Sequence, residues 1–307
     1  MVTPVGPDPR RLPRVVTRGE ALAAGLTADQ VRQRVRGGHW IALDTGVYLR
    51  AACASEATDP FAHAREEHLH RCVAAVRRHP KAVIAYGSAA ITHGLPLASS
   101  PPSTAQLIVP AGSWTGIRNG ARYRLALLDA EDLDPAARFV TGAVRTWADV
   151  ARTHSLADAL STGDRALREG LFTIDEAADR VDRLGRVRGR RLAARAIPLL
   201  DGRRETPLES WSAALFWQWG LPEPLLQHEF GDADGFVARV DFYWPGSRLV
   251  GEADGRLKYD APGALFAEKV REDRLRALGL SVIRWGWSDV STRPDRLRER
   301  LAAALLR

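Results

Sequence analysis

Residues 239–254 read RVDFYW, PGS and RLVGEAD in succession. The flanking runs alternate apolar and polar residues as strands do, and Pro245-Gly246-Ser247 between them is turn chemistry, so the stretch predicts a β-hairpin. A four-residue loop, Pro245 to Arg248, sets Trp244 opposite Leu249. The same register carries Asp241 opposite Glu252. Cross-strand neighbours stand about 4.5 to 5.5 Å apart at Cβ, and like charges there are destabilising. Glu252 and Asp254 are two residues apart and share a face, which adds a third carboxylate to one small area. A hard divalent cation, Mg²⁺ or Mn²⁺, compensates such a set, because Mg²⁺ takes one or two carboxylates and keeps its other positions for water and phosphate oxygens. Lys258 follows past Gly255, where its ammonium can stabilise developing phosphorane charge or position water.

Outward from the hairpin, Thr206-Pro207-Leu208-Glu209 opens an amphipathic helix. Thr206 as N-cap, Pro207 at the first position and Glu209 at the third make a capping box, which accounts for the glutamate without chemistry. On the other side, residues 268–276 form a charged helix, followed by Gly279 and a strand from Ser281 to Trp285. Most of that charge run reads as a solvated face with i,i+4 pairs, with Lys269, Arg271 and Arg284 as the residues for phosphate contact. Six of the nine tryptophans lie beyond residue 204, and they are expected in the core rather than on a base-stacking surface.

The layout VDFYW, GEADGRLKY, EKVRED and LGLSVIRW resembles the PD-(D/E)XK superfamily of restriction-type endonucleases, in its very-short-patch-repair-like branch. The resemblance covers about residues 204–307. It implies a restriction-endonuclease-like α/β/α core that hydrolyses DNA phosphodiesters. Asp241 and Glu252 would hold the metal, Asp254 would take a second metal or orient the water, and Glu209 would be an outer ligand. Asp254 stands where the superfamily normally has its lysine, and Lys258 would be the displaced substitute acting on the transition state.

Residues 15–50 read as helix, tight turn, helix and hairpin. Thr17 caps Arg18 to Ala24, Gly25 ends it, and Thr27 caps Ala28 to Arg36 before Gly37-Gly38. Trp40 to Leu43 and Val47 to Arg50 flank Asp44-Thr45-Gly46 as strands of a wing. Leu26, Val31 and Val35 point to the core, and Arg32, Arg34 and Arg36 spread over a surface suited to duplex DNA; a small helical domain with a solvated basic face is the other reading. Residues 56–200 form a mixed, mostly helical middle region without a catalytic constellation. In it, Asp149 and Asp164 are expected as caps or surface pairs. Gly87-Ser88 lacks the glycines and lysine of a phosphate loop. The helix-turn-helix, AYGSAAITHGLPL and VRTWADVAR together resemble AbiEi-type antitoxins and transcriptional regulators over roughly residues 13–170. That resemblance implies promoter binding beside a toxin gene.

The chain has 307 residues, 45% hydrophobic and 26% charged, which excludes disordered, collagen-like and coiled-coil classes. The expected organisation is α/β multidomain: a winged helix-turn-helix over 1–55, the middle region over 56–200, and the nuclease-like domain over 201–307. A net charge of +7 and a pI near 10.0 favour a polyanionic partner, DNA first. Only Lys81, Lys258 and Lys269 among the 44 basic residues are lysines. Two cysteines, Cys53 and Cys72, fit a reducing compartment. His63, His68, His70 and Cys72 lack the spacing that preorganises zinc. No apolar run approaches 18 residues and the N-terminal stretch carries Pro and Arg, so the expected location is the cytoplasm, off the membrane. Two functions stand: a metal-dependent endonuclease, and a non-catalytic regulator or antitoxin that keeps the nuclease fold for binding.

Overall fold

The structure, a computed structural model, describes residues 12–53, 59–254 and 264–306, with side chains omitted at residues 53, 60 and 264–268. Gly255 and Lys258 therefore lie outside the described residues, as does the side chain of Glu268. The chain is mixed α/β, with twelve α-helices and three sheets among the described residues. It divides into two compact units, residues 12–94 with 100–150, and residues 95–99 with 151–306. The expected divisions at 55/56 and 200/201 fall inside these units.

In the first unit, β1 (Val15–Thr17) leads into α1 (Arg18–Ala23) and α2 (Ala28–Arg36), then β2 (Trp40–Asp44) and β3 (Val47–Arg50). Thr17 and Thr27 both close capping boxes, with Glu20 and Gln30 at the third position. Each box satisfies helix-end donors reciprocally, which is why two such short helices hold. β1, missed in the sequence, pairs antiparallel with β3 and makes the order β1-β3-β2. Leu26, Val31 and Trp40 are buried together with Val35 packed against them. α3 (Pro60–Arg78) is no separate element: its Ala74 is buried with Val15, Val47 and Leu49 of the first sheet.

The second sheet has the order β4-β5-β7-β6, from β4 (Val83–Ile84), β5 (Ala105–Val109), β6 (Gly116–Arg118) and β7 (Ala121–Leu125). Between β4 and β5 lies α4 (Tyr86–Thr92), so Gly87 and Ser88 are helical and buried. Gly87 N donates to Gln106 Oε1 at 2.9 Å and Gln106 N donates to Ser88 Oγ at 2.8 Å, while His68 Nε2 lies 2.8 Å from that hydroxyl. These groups lock α3, α4 and β5 together. In α5 (Ala143–Thr153), Asp149 is fully buried, against expectation: Arg145 donates to it at 2.9 Å and to Asp132 at 2.7 Å.

The second unit holds α6 (Leu156–Arg168), α7 (Ile174–Arg183), α8 (Arg190–Ala196) and α9 (Pro207–Trp219), then β8 (Leu225–Asp232), β9 (Gly235–Trp244) and β10 (Leu249–Ala253). α10 (Ala264–Ala277), β11 (Ser281–Trp285), α11 (Trp287–Ser291) and α12 (Pro294–Leu305) complete it. Its sheet runs β11-β10-β9-β8, with β10 parallel to β11 and the other neighbours antiparallel. One apolar cluster joins Phe242, Trp244, Leu249 and Trp285 to Leu208 and Phe216 of α9 and to Leu301 of α12. Another joins Val240 and Val250 to Leu275 of α10. The sheet is thus covered by different helices. Asp164 on α6 is also buried, not a surface cap: Arg204 binds it through Nε and Nη2 at 2.6 and 2.9 Å, and Ser210 Oγ donates at 2.7 Å. Residues 201–204, whose composition reads as a linker, are tied into the unit by that pair.

The tryptophans divide. Trp244 and Trp285 are buried, their indole N–H groups donating to Pro222 O and Ser212 Oγ, both at 2.7 Å, whereas Trp217 and Trp287 are exposed. Phe216 meets Phe242, Trp244 and Trp285 edge to face at 5.2 to 5.7 Å. This packing needs Gly251, since a Cβ there would stand 2.6 Å from the Trp285 ring and 3.0 Å from that of Trp244. Gly251→Ala should therefore destabilise the protein by about 1–3 kcal/mol through overpacking. Urea unfolding followed by tryptophan fluorescence checks this, and Trp285→Phe in the same chain should offset part of the loss in a double-mutant cycle.

Candidate functional site

The hairpin has the expected register over Leu249↔Trp244, Val250↔Tyr243 and Gly251↔Phe242. The ladder stops there, one step short of Asp241 and Glu252. The cause is the Asp241 carboxylate: its Oδ2 accepts the amide of Ala253 at 2.8 Å, replacing a main-chain carbonyl and parting the strands. β10 then continues against β11, with Glu252 beside Arg284 and Ala253 beside Trp285. On the opposite side of β9, Leu226 pairs with Phe242 and His228 with Val240, which sets Gln227 opposite Asp241. Asp241 is flanked by Gln227 on one strand and Glu252 on the other.

Gln227 adopts φ of +52° within β8, a left-handed conformation that non-glycine residues hold only when surroundings impose it. Its Nε2 donates to Glu209 Oε2 at 3.0 Å, and its side chain also bonds Asp241. The amide thereby couples two carboxylates on different elements. Glu209 closes the expected capping box, with Thr206 N and Oγ1 on Oε1 at 3.0 and 2.8 Å and Glu205 N on Oε2 at 2.9 Å. Cap and site partner coexist in one side chain.

Burial, and then the charge of Glu252, push the Asp241 carboxyl up to about 6. Burial, and then Asp241, raise Glu209 from the ordinary carboxylate range. Glu252 is 9% exposed and Glu209 only 3%. Glu252 therefore sits close enough to Asp241, and Asp241 close enough to Glu209, to oppose the ionisation of the neighbouring carboxyl. Asp254 follows β10 directly, two residues from Glu252, its amide donating to Trp285 O at 2.9 Å.

The basic residues expected to touch phosphate are placed differently. Arg271 on α10 donates to Glu252 Oε1 at 3.1 Å, and Arg284 pairs with Glu272 at 3.3 Å. Both are turned to carboxylates of the same unit because α10 and β11 pack beside β10; Lys269 is exposed. In the first unit Arg32 pairs with Asp29, the Arg34 guanidinium lies 5.8 Å over the Trp40 ring, and Arg36 is exposed. Among the described residues no group of three or more His, Cys, Asp or Glu side chains is arranged to hold a metal ion, and no helix is long and apolar enough to cross a membrane. Sequence reasoning missed Gln227. Its strand carries no clean alternation, and a left-handed glutamine leaves no mark in the sequence.

No family model matches the chain. Two Mycobacterium tuberculosis proteins, uncharacterized protein MT2308 of strain CDC 1551 / Oshkosh and uncharacterized protein Rv2248 of strain ATCC 25618 / H37Rv, are each 33% identical to it over 168 residues, 55% of this chain. The chain spans 62% of those relatives' length. Among solved structures it is similar to the RV2827C protein from Mycobacterium tuberculosis, at 15% identity and a TM-score of 0.38, over 76% of this chain and 93% of that one.

The raised carboxyls set a pH dependence. A carboxyl whose folded pKa is raised holds its proton more tightly in the folded chain, so stability falls as pH rises from the unfolded value near 4 through about 6 and is level above. Asp241→Asn removes that contribution while its amide oxygen still accepts from Ala253. Metal-free, it should unfold at an equal or higher temperature than wild type at pH 7.5, and its loss of stability between pH 4.5 and 7.5 should be smaller. Melting curves at the two pH values check this.

Proposed function

We propose that the chain is a DNA-binding protein whose nuclease-like second unit hydrolyses phosphodiesters with Mg²⁺ or Mn²⁺. The observation that supports this best is the buried set Glu209, Asp241 and Glu252, drawn from α9, β9 and β10, in which Asp241 is pushed up to about 6. Buried acids that oppose one another are costly unless a cation or proton compensates them. Mg²⁺ needs only one or two carboxylates and keeps its waters, so a pair suffices where no group of three donors is arranged around a cation among the described residues. Asp241 and Glu252 would hold it, Glu209 with Gln227 would orient Asp241, and Asp254 would orient the attacking water. The metal would supply charge neutralisation at the phosphate, and Lys258 would stabilise the transition state. The order α9, β8-β9-β10, α10, β11 supports the nuclease reading, and α1 and α2 with the sheet β1-β3-β2 support a winged helix that would dock duplex DNA; the location we propose is the cytoplasm.

A second reading rests on the Arg271–Glu252 bond. An arginine already on Glu252 compensates one carboxylate without metal, which favours a non-catalytic, AbiEi-like regulator partnered by a toxin.

Cleavage separates the two. Supercoiled plasmid incubated with the protein should be nicked with Mg²⁺ or Mn²⁺ and left intact with EDTA. The same ions should raise the unfolding temperature by binding the native state. Asp241→Asn and Glu252→Gln should each cut the nicking rate at least a hundredfold and remove most of that stabilisation. Lys258→Ala should lower nicking and keep the metal-induced shift. No metal shift in wild type, with a destabilised metal-free Asp241→Asn, favours the regulator. Duplex binding is tested separately. Changing Arg32, Arg34 and Arg36 together to Ala should weaken it and reduce the slope of log affinity against log salt by about 0.9 for each phosphate no longer neutralised.

A further inference from the structure

A cleft of about 370 Å³ opens in the first unit between the end of α3, the end of β5 and the loop before β6. That volume lies in the range of small-ligand sites. Tyr123 forms its floor, 4% exposed, with His79 edge-on at 4.8 Å and Trp114 edge-on at 6.1 Å. Trp114 is the wall: it is 57% exposed, yet its indole lies against Gly116, where a Cβ would come within 2.8 Å of the ring. Gly116 has φ of +135°, so the close approach of backbone to indole holds the ring in place while leaving area open to solvent.

The surroundings are cationic. Arg78 and Lys81 line the cleft, and Arg118 is near enough to act on both His79 and Tyr123. Asp44 offsets Arg78 at 3.3 Å. Neither Lys81 nor Arg118 is ion-paired with a described carboxylate. Among the described residues no acid lines the cleft. Burial, Arg78 and Arg118 lower the pKa of His79, and burial pushes Tyr123 up to about 12, which keeps both rings uncharged at neutral pH. Aromatic walls alone suit a quaternary ammonium as well as a flat ring; the cations exclude the former. A flat aromatic group carrying negative charge meets both conditions.

We propose that this cleft binds a nucleotide, with an unpaired base packed on Trp114 and its phosphate held by Lys81 and Arg118. The site is independent of the carboxylates of the second unit and of Arg32, Arg34 and Arg36. Aromatic stacking with a cationic track is how single-stranded nucleic acid is held without base readout.

The test uses the full chain with Arg32, Arg34 and Arg36 changed to Ala, in EDTA, with dTMP and fluorescein-labelled dT12 as probes. dT12 binding by anisotropy should weaken fivefold or more in Trp114→Ala and hold within twofold in Trp114→Phe. Lys81→Ala should lower the salt slope for dT12 by about 0.7, one phosphate on a single strand. Calorimetry with dTMP identifies the source. Affinity for dTMP equal to that for dT12 means a free nucleotide, and much tighter dT12 means a strand; in both cases the loss must follow Trp114. Absence of binding to either probe, or wild-type affinity in folded Trp114→Ala and Lys81→Ala, overturns the proposal. If Trp114→Ala melts below the assay temperature, Lys81→Ala and Arg118→Ala decide it alone.

Discussion

The second unit turns on a single hydrogen bond from the Ala253 amide to the Asp241 carboxylate. Where the ladder would add another main-chain pair, it ends on a side chain. That substitution lets β10 separate from β9 while staying parallel to β11, and it holds a carboxylate at the point of separation. Gln227 on the neighbouring strand, Glu252 on the next and Glu209 on α9 then converge on it. Each is held by a bond of its own: a capping box for Glu209, Arg271 for Glu252, and a left-handed backbone for Gln227. The cluster is held by groups that also serve the fold, which limits how far any of them can be changed without cost to it.

The aromatic core beneath that site keeps it rigid. Phe242 stacks on Trp285 at 5.7 Å, Phe216 inserts edge-on, and Gly251 admits both indoles. Large rings bury more area per residue than aliphatic groups and have few torsions to immobilise. The buried indole N–H groups are satisfied, so burying them leaves no unpaired donor. The five-residue strands β10 and β11 would be weak alone; packed this way they hold Glu252 near Asp241 of β9.

The same economy appears in the first unit. A polar chain through His68, Ser88 and Gln106 fixes α4, and the Arg145 pair with Asp132 and Asp149 fixes α5. Breaking such a pair by removing one partner leaves a buried charge without compensation, which is why these residues read as structural despite their chemistry. The exposed Trp114 stands apart from this pattern, since its ring is positioned without being covered.

Much was legible in the chain itself. The boundaries of α2, the strand β11 and the hairpin register followed from caps, turn residues and alternation, which are local signals read within a few residues. The proximity of Asp241 to Glu252 followed from that register, and the capping of α9 by Glu209 from Thr206 and Pro207 before it. Other features depended on distant segments. β1, β4, β6 and β8 are short or irregular strands that exist because a neighbour pairs with them. Asp149 and Asp164 are buried because Arg145 and Arg204 reach them, and no local pattern marks a carboxylate that will be enclosed. Arg271 faces Glu252 rather than solvent because α10 packs beside β10. Local sequence thus determined the elements and the register that brings two acids together. The tertiary structure alone decided which charges were buried, which were paired and how Gln227 joined them, because burial and pairing arise between segments far apart in the chain.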